Sequence, residues 1–301
     1  MSVSLLPTQS TAHESARSFP AMASWIDERE TEGKAARTLD SDERIIAALL
    51  LAYPDHELAD FTRDELMSFF ADVTAPQRNK YRSHVNSFFR WCVLTDRIAA
   101  NPMDKVPQFV KPKQKVINTY TDVEVELLCS LDPLYRILFD AGLRFTEARM
   151  LQGKHLLFDL SDPEHPTGKI AVMRGKGGKG RLISMTMRLT TAVAGYYTTE
   201  GINPDSYLWP THPGGHRARR REPIGETALR QWHERAQARA GIPYRNFHTT
   251  RHTCATWYLR RGVSMLAVSK MLGHESIKTT IDQYAHLTIE DFAAELAVLG
   301  V

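Results

Sequence analysis

Apolar residues in the first third of the chain recur every three or four positions, which is typical of helices that bury one face. The segment 76–99 shows this spacing most clearly, with apolar positions at Tyr81, Val85, Phe88, Phe89 and Cys92. Thr62 and Glu65 form a capping-box pattern ahead of a further apolar stretch. We therefore predict a small all-helical domain over residues 18–107, preceded by a polar segment, 1–17, that does not fold alone.

A second set of patterns follows a stretch rich in proline and lysine, residues 108–119, which we interpret as an extended linker. Thr121 and Glu124 repeat the capping-box pattern. Alternating apolar and polar residues predict two short strands, 169–173 and 182–187, around a Gly/Lys turn. Helical spacing predicts further helices at 134–143, 187–200, 225–241, 251–262, 264–272 and 289–299. The predicted fold is mainly α, with a small β-hairpin inside an α+β second domain, residues 120–301.

Composition fits a globular protein of two ordinary domains, with 301 residues and an apolar fraction of 43%. The net charge of +3 indicates no partner by itself. Positive charge is nevertheless clustered, in the runs 78–90, 168–188 and 212–221. Clusters of this kind are typical of proteins that bind a polyanion. For any one run taken alone, an ordinary solvated surface is the alternative.

Cysteine usage and the N-terminus narrow the class of protein further. The three cysteines lie far apart without a Cys-x-x-Cys pair, so the sequence supports no zinc or redox motif. The N-terminus lacks the charged start and apolar core of a signal peptide. The longest apolar run, 45–53, is too short to span a bilayer. We expect a cytoplasmic protein with reduced thiols and no membrane partner.

Two motif matches point to cofactors that their context does not support. Gly175, Gly177 and Gly180 match a dinucleotide fingerprint, but an alternating strand follows them where that fingerprint requires a helix. His248 and His252 stand four apart as in a zinc helix, yet no glutamate follows the first histidine and an arginine lies between the two. We predict neither a nucleotide cofactor nor a metal.

Six side chains carry chemistry suited to a phosphodiester, and they are Arg144, Lys176, His248, Arg251, His274 and Tyr284. A phosphodiester under attack gathers negative charge on its non-bridging oxygens, which arginine and histidine donors can stabilise. A tyrosine can attack the phosphorus, and a lysine can protonate the oxygen that leaves. For each residue alone the alternative is structural: a salt bridge, a core histidine or a core aromatic.

This ordered set, with His-x-x-Arg-His, then Leu-Gly-His, then a tyrosine ten residues later, resembles the tyrosine recombinases, or phage integrase family. The resemblance runs from about Ser18 to the C-terminus and is strongest from Tyr120. It implies a helical core-binding domain of the SAM-like type and a catalytic domain, which together form a clamp on duplex DNA. No cofactor is implied.

The resemblance also assigns roles to single residues. Tyr284 is the expected nucleophile, and Arg144 with Arg251 is expected to clamp the phosphate. His248 is expected to bind the phosphate and pass the tyrosine proton. Lys176 is preferred to Lys179 as the general acid, because the hairpin lysine of the family lies in Gly-Lys-Gly. Further expected roles are phosphate donation by His274, orientation of the basic site by Glu147, and DNA contacts by Arg78, Arg82, Lys179 and Arg181.

The function so implied is a site-specific DNA recombinase or integrase that works through a 3′-phosphotyrosine intermediate on phage or mobile-element DNA. Its expected partners are double-stranded DNA with paired recombination sites, a homotetramer on that DNA, and an accessory directionality or DNA-bending protein. The alternatives are Xer-like resolution of chromosome dimers, relaxation of DNA as in type IB topoisomerases, and, as a protein without catalysis, a DNA-binding repressor.

Overall fold

The computed structural model describes residues 19–110, 118–173, 180–211 and 221–284. The chain divides into two compact units, Met1–Lys115 and Val116–Val301. The expectations for residues 1–17, for the Gly/Lys turn and for the helix at 289–299 fall outside the described residues. The boundaries predicted at residues 107 and 120 stay predictions, because part of the linker also lies outside them.

The first unit is helical, as the sequence predicts. Its elements are α1 (Pro20–Thr31), α2 (Ala36–Ala52), α3 (Arg63–Ala71), α4 (Arg78–Leu94) and a 3₁₀ turn at Pro102–Lys105. The helix predicted over 76–99 is shorter than expected at both ends. At its C-terminus the Thr95 hydroxyl donates to Trp91 O, and Asp96 adopts a left-handed φ of 54°, so the helical path ends there.

Aromatic side chains fill the core of the first unit. Trp25 meets Phe88 edge to face at 5.3 Å between ring centroids, and Phe61 meets Phe89 in the same way at 5.4 Å. Edge-to-face contacts of this kind add to the free energy gained by burying the rings. Asp42 is fully buried among them and accepts a hydrogen bond from Arg29 Nε at 2.8 Å. The unit therefore has a core of its own.

The second unit contains helices around a small sheet. Its helices are α5 (Asp122–Leu131), α6 (Leu134–Ala141), α7 (Phe145–Arg149), α8 (Met187–Thr199), α9 (Glu226–Arg239), α10 (His248–Leu259), α11 (Met265–Leu272) and α12, which covers residues 277–284. The helix predicted at 251–262 begins three residues earlier, at His248. The short α7 was not predicted. It follows Arg144 directly, so it lies at the candidate site.

The sheet has three antiparallel strands, β1 (Leu156–Asp159), β2 (Thr167–Val172) and β3 (Arg181–Met185), in the order β1-β2-β3. Ile170 pairs with Leu156 on one side and with Ile183 on the other. These three residues are buried, whereas side chains of neighbouring positions point to the other face. The hairpin prediction is confirmed, and β1 is an additional strand. The fold is therefore mainly α with a small antiparallel sheet.

Within the described residues, no helix has both the length and the apolar character needed to cross a membrane.

Both predicted capping boxes are present, and the box at Thr121 gives a test of the second unit. The Thr121 side chain accepts from Glu124 N, and the Glu124 carboxylate accepts from Thr121 N at 2.8 Å. We predict that Thr121→Ala lowers the free energy of unfolding of this unit by about 1 kcal/mol, because one N–H of α5 loses its partner. Thr121→Ser keeps the oxygen and serves as the control in urea unfolding followed by circular dichroism. Equal stability of the alanine and serine variants would contradict the assignment.

Candidate active site

Arg144 reaches the site through a glycine turn. Helix α6 ends at Gly142, whose φ of +59° is left-handed. A Cβ at this position would lie 2.8 Å from Leu272 Cδ2 and 3.0 Å from Cys254 Sγ, so only glycine fits. The turn places Arg144 immediately before α7, where its backbone N–H donates to Glu147 Oε2 at 2.8 Å.

The C-terminal end of α11 provides the acceptors that hold the arginines. Gly273 has a left-handed φ of +69°, its N–H donates to Lys270 O, and the His274 N–H donates to Ser269 O. These two bonds form a Schellman motif. The carbonyls of Met271 and Leu272, at the end of the helix, and of Gly273, which follows it, have no partner in the helix. They lie at the negative end of the helix dipole and can accept from other donors.

Each of these three carbonyls accepts a hydrogen bond from a different arginine. Arg181 Nε donates to Met271 O at 2.8 Å, Arg251 Nη2 to Leu272 O at 2.7 Å and Arg144 Nη2 to Gly273 O at 2.6 Å. The three arginines come from β3, α10 and the turn before α7, so one helix end joins three separate parts of the chain.

Arg251 is the most deeply buried of the three, with 3% of the residue exposed. Its second terminal nitrogen, Nη1, donates to Gly142 O at 2.8 Å. Among the described residues it forms no ion pair, and its hydrogen bonds go to backbone carbonyls. Burial, followed by the positive charge of Arg144, lowers the pKa of Arg251 to about 10. A guanidinium in this state would be stabilised by an anion.

Glu147 forms ion pairs with the other two arginines. Its carboxylate accepts two hydrogen bonds from Arg181, both at 2.8 Å, and one from Arg144 Nη1 at 2.7 Å. Burial raises the pKa of Glu147, but the hydrogen bonds from Arg181 and Arg144 outweigh it and lower that pKa to about 2. The acid therefore contacts two arginines of the cluster, and its expected role in orienting the basic site stays a prediction.

The histidines lie close to this cluster. His248 begins α10 and is exposed, yet the surrounding protein and then the charges of Arg251 and Arg144 lower its pKa. His274 is partly buried, and its Nδ1 is hydrogen bonded to the Thr280 hydroxyl at 2.7 Å. Burial, followed by the charges of Arg251 and Arg144, lowers the pKa of His274 to about 4. The lowered pKa values favour the neutral form of both rings at pH 7.

Tyr284 is buried, with 3% of the residue exposed. Its hydroxyl lies 2.7 Å from Nδ1 of His252, the residue that follows Arg251 on α10. Burial raises the pKa of the Tyr284 phenol, and the charge of Arg251 acts in the opposite direction. The structure thus places Arg144 and Arg251 on the neighbouring carbonyls of Gly273 and Leu272, and His274 follows Gly273. It places the Tyr284 hydroxyl against His252, whose ring packs on that of His248.

Several of the residues expected at the site have other contacts or lie outside the described residues. Lys176 and Lys179 lie outside the described residues. Arg181 contacts Glu147 and Met271 O, so all three of its nitrogens are engaged within the protein. In the first unit, Arg78 donates to Val73 O and Ala71 O, and Arg82 donates to Val106 O. The expected DNA contacts of these arginines stay predictions.

Sequence reasoning missed two residues of the site. His252 was considered only as a zinc ligand, although its place beside Arg251 in the His-x-x-Arg-His segment was a signal. Arg181 was counted with the DNA-contacting charges, whereas the structure uses it to hold Glu147. No pattern in the sequence indicates that pairing, because Glu147 and Arg181 lie on different elements.

Comparison with known proteins identifies the family of this chain. The phage integrase family model matches residues 114–290, more than half of the chain. Tyrosine recombinase XerC of Xanthomonas campestris pv. campestris is 24% identical over 309 residues, which cover 95% of this chain and 90% of the relative. The chain therefore belongs to the phage integrase family, the tyrosine recombinases.

Solved structures show the same fold at low sequence identity. A lambda integrase(75–356) dimer bound to a COC′ core site has a TM-score of 0.68 at 17% identity and covers 88% of this chain and 94% of that one. A lambda integrase tetramer bound to a Holliday junction has a TM-score of 0.65 at 17% identity, and the match covers 85% of this chain and 77% of that one.

The buried carboxylate gives a direct test of the cluster. We predict that Glu147→Ala lowers the free energy of unfolding by about 3–5 kcal/mol, because it leaves Arg144 and Arg181 without their common anion. Glu164→Ala, at an exposed position of the same unit, is the control. Urea unfolding at pH 7 measures both variants. A loss in Glu147→Ala no larger than in the control would contradict the arrangement.

The neutral histidines predict a dependence of stability on pH. The unfolded chain binds protons at His252 and His274 below about pH 6.5, whereas in the folded protein their pKa values are lowered to about 4. The part of the free energy of unfolding that these neutral rings contribute is therefore fully present above pH 6.5 and is lost as the pH falls towards 4. We predict a falling melting temperature from pH 7 to pH 5, with a smaller fall in His274→Gln. Equal falls in the variant and the wild type would contradict this assignment.

Proposed function

We propose that this protein is a site-specific DNA recombinase that cleaves and rejoins strands through a 3′-phosphotyrosine at Tyr284, and that it integrates phage or mobile-element DNA. The observation that carries the proposal is Arg251, a buried guanidinium that among the described residues donates to two backbone carbonyls. Arg144 donates to the carbonyl next to one of these, and His252, which follows Arg251, contacts the buried Tyr284 hydroxyl. The non-bridging oxygens of a phosphodiester supply the anion that this arrangement lacks.

The reaction follows from the roles of these side chains. The Tyr284 Oη attacks phosphorus, the bond to the 5′ oxygen breaks, and Arg144 and Arg251 stabilise the charge that develops on the non-bridging oxygens. His248 is exposed at the start of α10 and is suited to donate to the same oxygens. Lys176 is proposed as the acid that protonates the 5′ oxygen. The new bond keeps the energy of the old one, so rejoining needs no ATP.

By analogy with the lambda integrase tetramer on a Holliday junction, four copies of this chain would bring two DNA sites together. Double-stranded DNA with paired sites is then the substrate. An accessory directionality or DNA-bending protein stays part of this proposal.

Resolution of chromosome dimers is the second candidate. The XerC relative aligns with nearly the whole chain, and this favours it. The two roles are separated by mapping, on the host genome, the DNA fragments that the protein captures covalently in its host. Ends of a mobile element support integration, and one site near the replication terminus supports dimer resolution.

The nucleophile is tested by covalent capture on a pool of nicked duplexes with a randomised centre. We predict that Tyr284→Phe binds the duplexes as tightly as the wild type yet yields no adduct that survives denaturant. Tyr244→Phe, at an exposed position, is the matched control and retains adduct formation. Adducts in Tyr284→Phe would contradict the proposal. Wild-type protein that binds but never forms an adduct would support the repressor.

The phosphate clamp is tested on a duplex selected from that pool. We predict that Arg251→Ala slows single-turnover cleavage by a factor equivalent to about 3 kcal/mol, by analogy with the removal of one oxyanion donor. Arg251→Lys keeps the charge but loses one of the two carbonyl contacts, so it retains more activity. Circular dichroism checks that both variants fold. Cleavage at the wild-type rate by a folded Arg251→Ala would contradict the assignment. A two-site plasmid separates recombination, which changes fragment lengths, from topoisomerase-like relaxation, which does not.

A further inference from the structure

The hydroxyl of Tyr284 contacts a histidine that the six-residue set does not include. His252 Nδ1 lies 2.7 Å from the phenol oxygen, and the ring centroids are 5.9 Å apart. His252 is 8% exposed and Tyr284 is 3% exposed, so the hydrogen bond is shielded from water. It joins α10, which carries Arg251, to α12, which carries the tyrosine.

The position of the His252 ring is fixed on its other side by His248. The two rings meet edge to face, with centroids 4.7 Å apart and planes at 89°. His248 lies one helical turn before His252 and is exposed, so it is free to contact a phosphate. One histidine of the pair therefore faces solvent, while the other contacts the phenol.

On the basis of the proposed function, we propose that His252, rather than His248 as the sequence led us to expect, is the catalytic residue that orients the Tyr284 phenol and accepts its proton at Nδ1 as the phenol oxygen attacks phosphorus. His248 keeps its expected role at the phosphate. The bond from Oη to phosphorus forms, and the bond from phosphorus to the 5′ oxygen breaks. The phenol proton moves to Nδ1, and the 5′ oxygen takes a proton from the general acid. Rejoining runs the same steps in reverse, so the protonated ring returns the proton to the phenol.

The charges that face His252 make this base respond to substrate. Burial, followed by the positive influence of His248, Arg251 and His274, lowers the pKa of His252 to about 4 in the DNA-free protein. The ring is then neutral, and in the Nε2–H tautomer its Nδ1 accepts the phenol hydrogen. A bound phosphate offsets the charge of Arg251, which raises the pKa of His252 and strengthens it as a base. Binding of DNA thus prepares the proton acceptor.

The experiment measures single-turnover adduct formation across a range of pH, on a nicked duplex recovered by covalent capture. We predict that His252→Leu lowers the rate by about 10²–10⁴, the usual contribution of general acid–base catalysis. The wild-type rate should rise with pH and level off above the pKa of the base in the complex. In His252→Leu it should keep rising by about tenfold per pH unit, because the phenol must ionise without a base.

Two further variants separate catalysis from structure. His252→Asn keeps a short side chain with an oxygen acceptor, so it should fold as the wild type does, cleave faster than His252→Leu, and still lack the levelling of the pH profile. His165→Leu, at an exposed histidine of the same unit, is the control and keeps both the rate and the profile. A wild-type rate in His252→Leu would overturn the proposal. A reduced rate with an unchanged pH profile would overturn it as well.

A duplex with sulfur in place of the 5′ bridging oxygen shows on which side of the phosphorus His252 acts. A sulfur leaving group needs no proton. Cleavage of this duplex should therefore be restored in a variant of the general acid, such as Lys176→Ala, but not in His252→Leu. Restoration of His252→Leu by sulfur would contradict the proposal. Adducts in Tyr284→Phe would defeat the proposed function itself. An inactive Tyr284→Phe beside a fully active His252→Leu would defeat the role of His252 alone.

Discussion

The candidate site depends on the C-terminal end of one helix, α11. Two backbone bonds of the Schellman motif leave the carbonyls of Met271, Leu272 and Gly273 without partners in the helix, and each accepts from a different arginine. These carbonyls carry the negative end of the helix dipole, so they attract cations and orient them at the same time. Gly273 is required because its left-handed φ turns the last carbonyl towards Arg144.

The cluster that results carries more positive than negative charge. In the part of the chain that the structure describes, three guanidiniums lie around one carboxylate, Glu147, which contacts Arg144 and Arg181 but not Arg251. Arg251 donates to two backbone carbonyls, and its burial, followed by the charge of Arg144, lowers its pKa. Sites that bind an anion must keep such a charge unpaired until the ligand arrives, at a cost to stability. The neutral histidines around the cluster limit that cost.

Local signals in the sequence predicted the local structure well. The capping boxes at Thr62 and Thr121 form as expected, because both partners of each box lie within one turn of the chain. Strand β1 was missed because it has only four residues and is defined by pairing with a strand that lies further along the chain. The helix at 251–262 was predicted to begin too late, since His248 to Thr250 have no apolar side chain to mark a helical face.

The sequence offered candidate residues for the site, but it did not indicate the hydrogen bonds that connect them. The ordered motifs that contain Arg144, Arg251 and Tyr284 carry a resemblance that predicted the family, and the family model confirms that prediction. The carbonyl acceptors left no trace in the sequence, since any residue carries a carbonyl. The contact of His252 with Tyr284 spans 32 residues and depends on how α10 and α12 pack, which residue spacing does not report.

The most direct test is a structure of the protein with cleaved DNA ends and orthovanadate, which imitates the pentacoordinate phosphorus. The account predicts vanadium bonded to Tyr284 Oη, with its oxygens within hydrogen-bonding distance of Arg144 and Arg251, and Arg181 still bound to Glu147 and Met271 O. Vanadate bonded to another residue, or lying out of reach of Arg251, would contradict it.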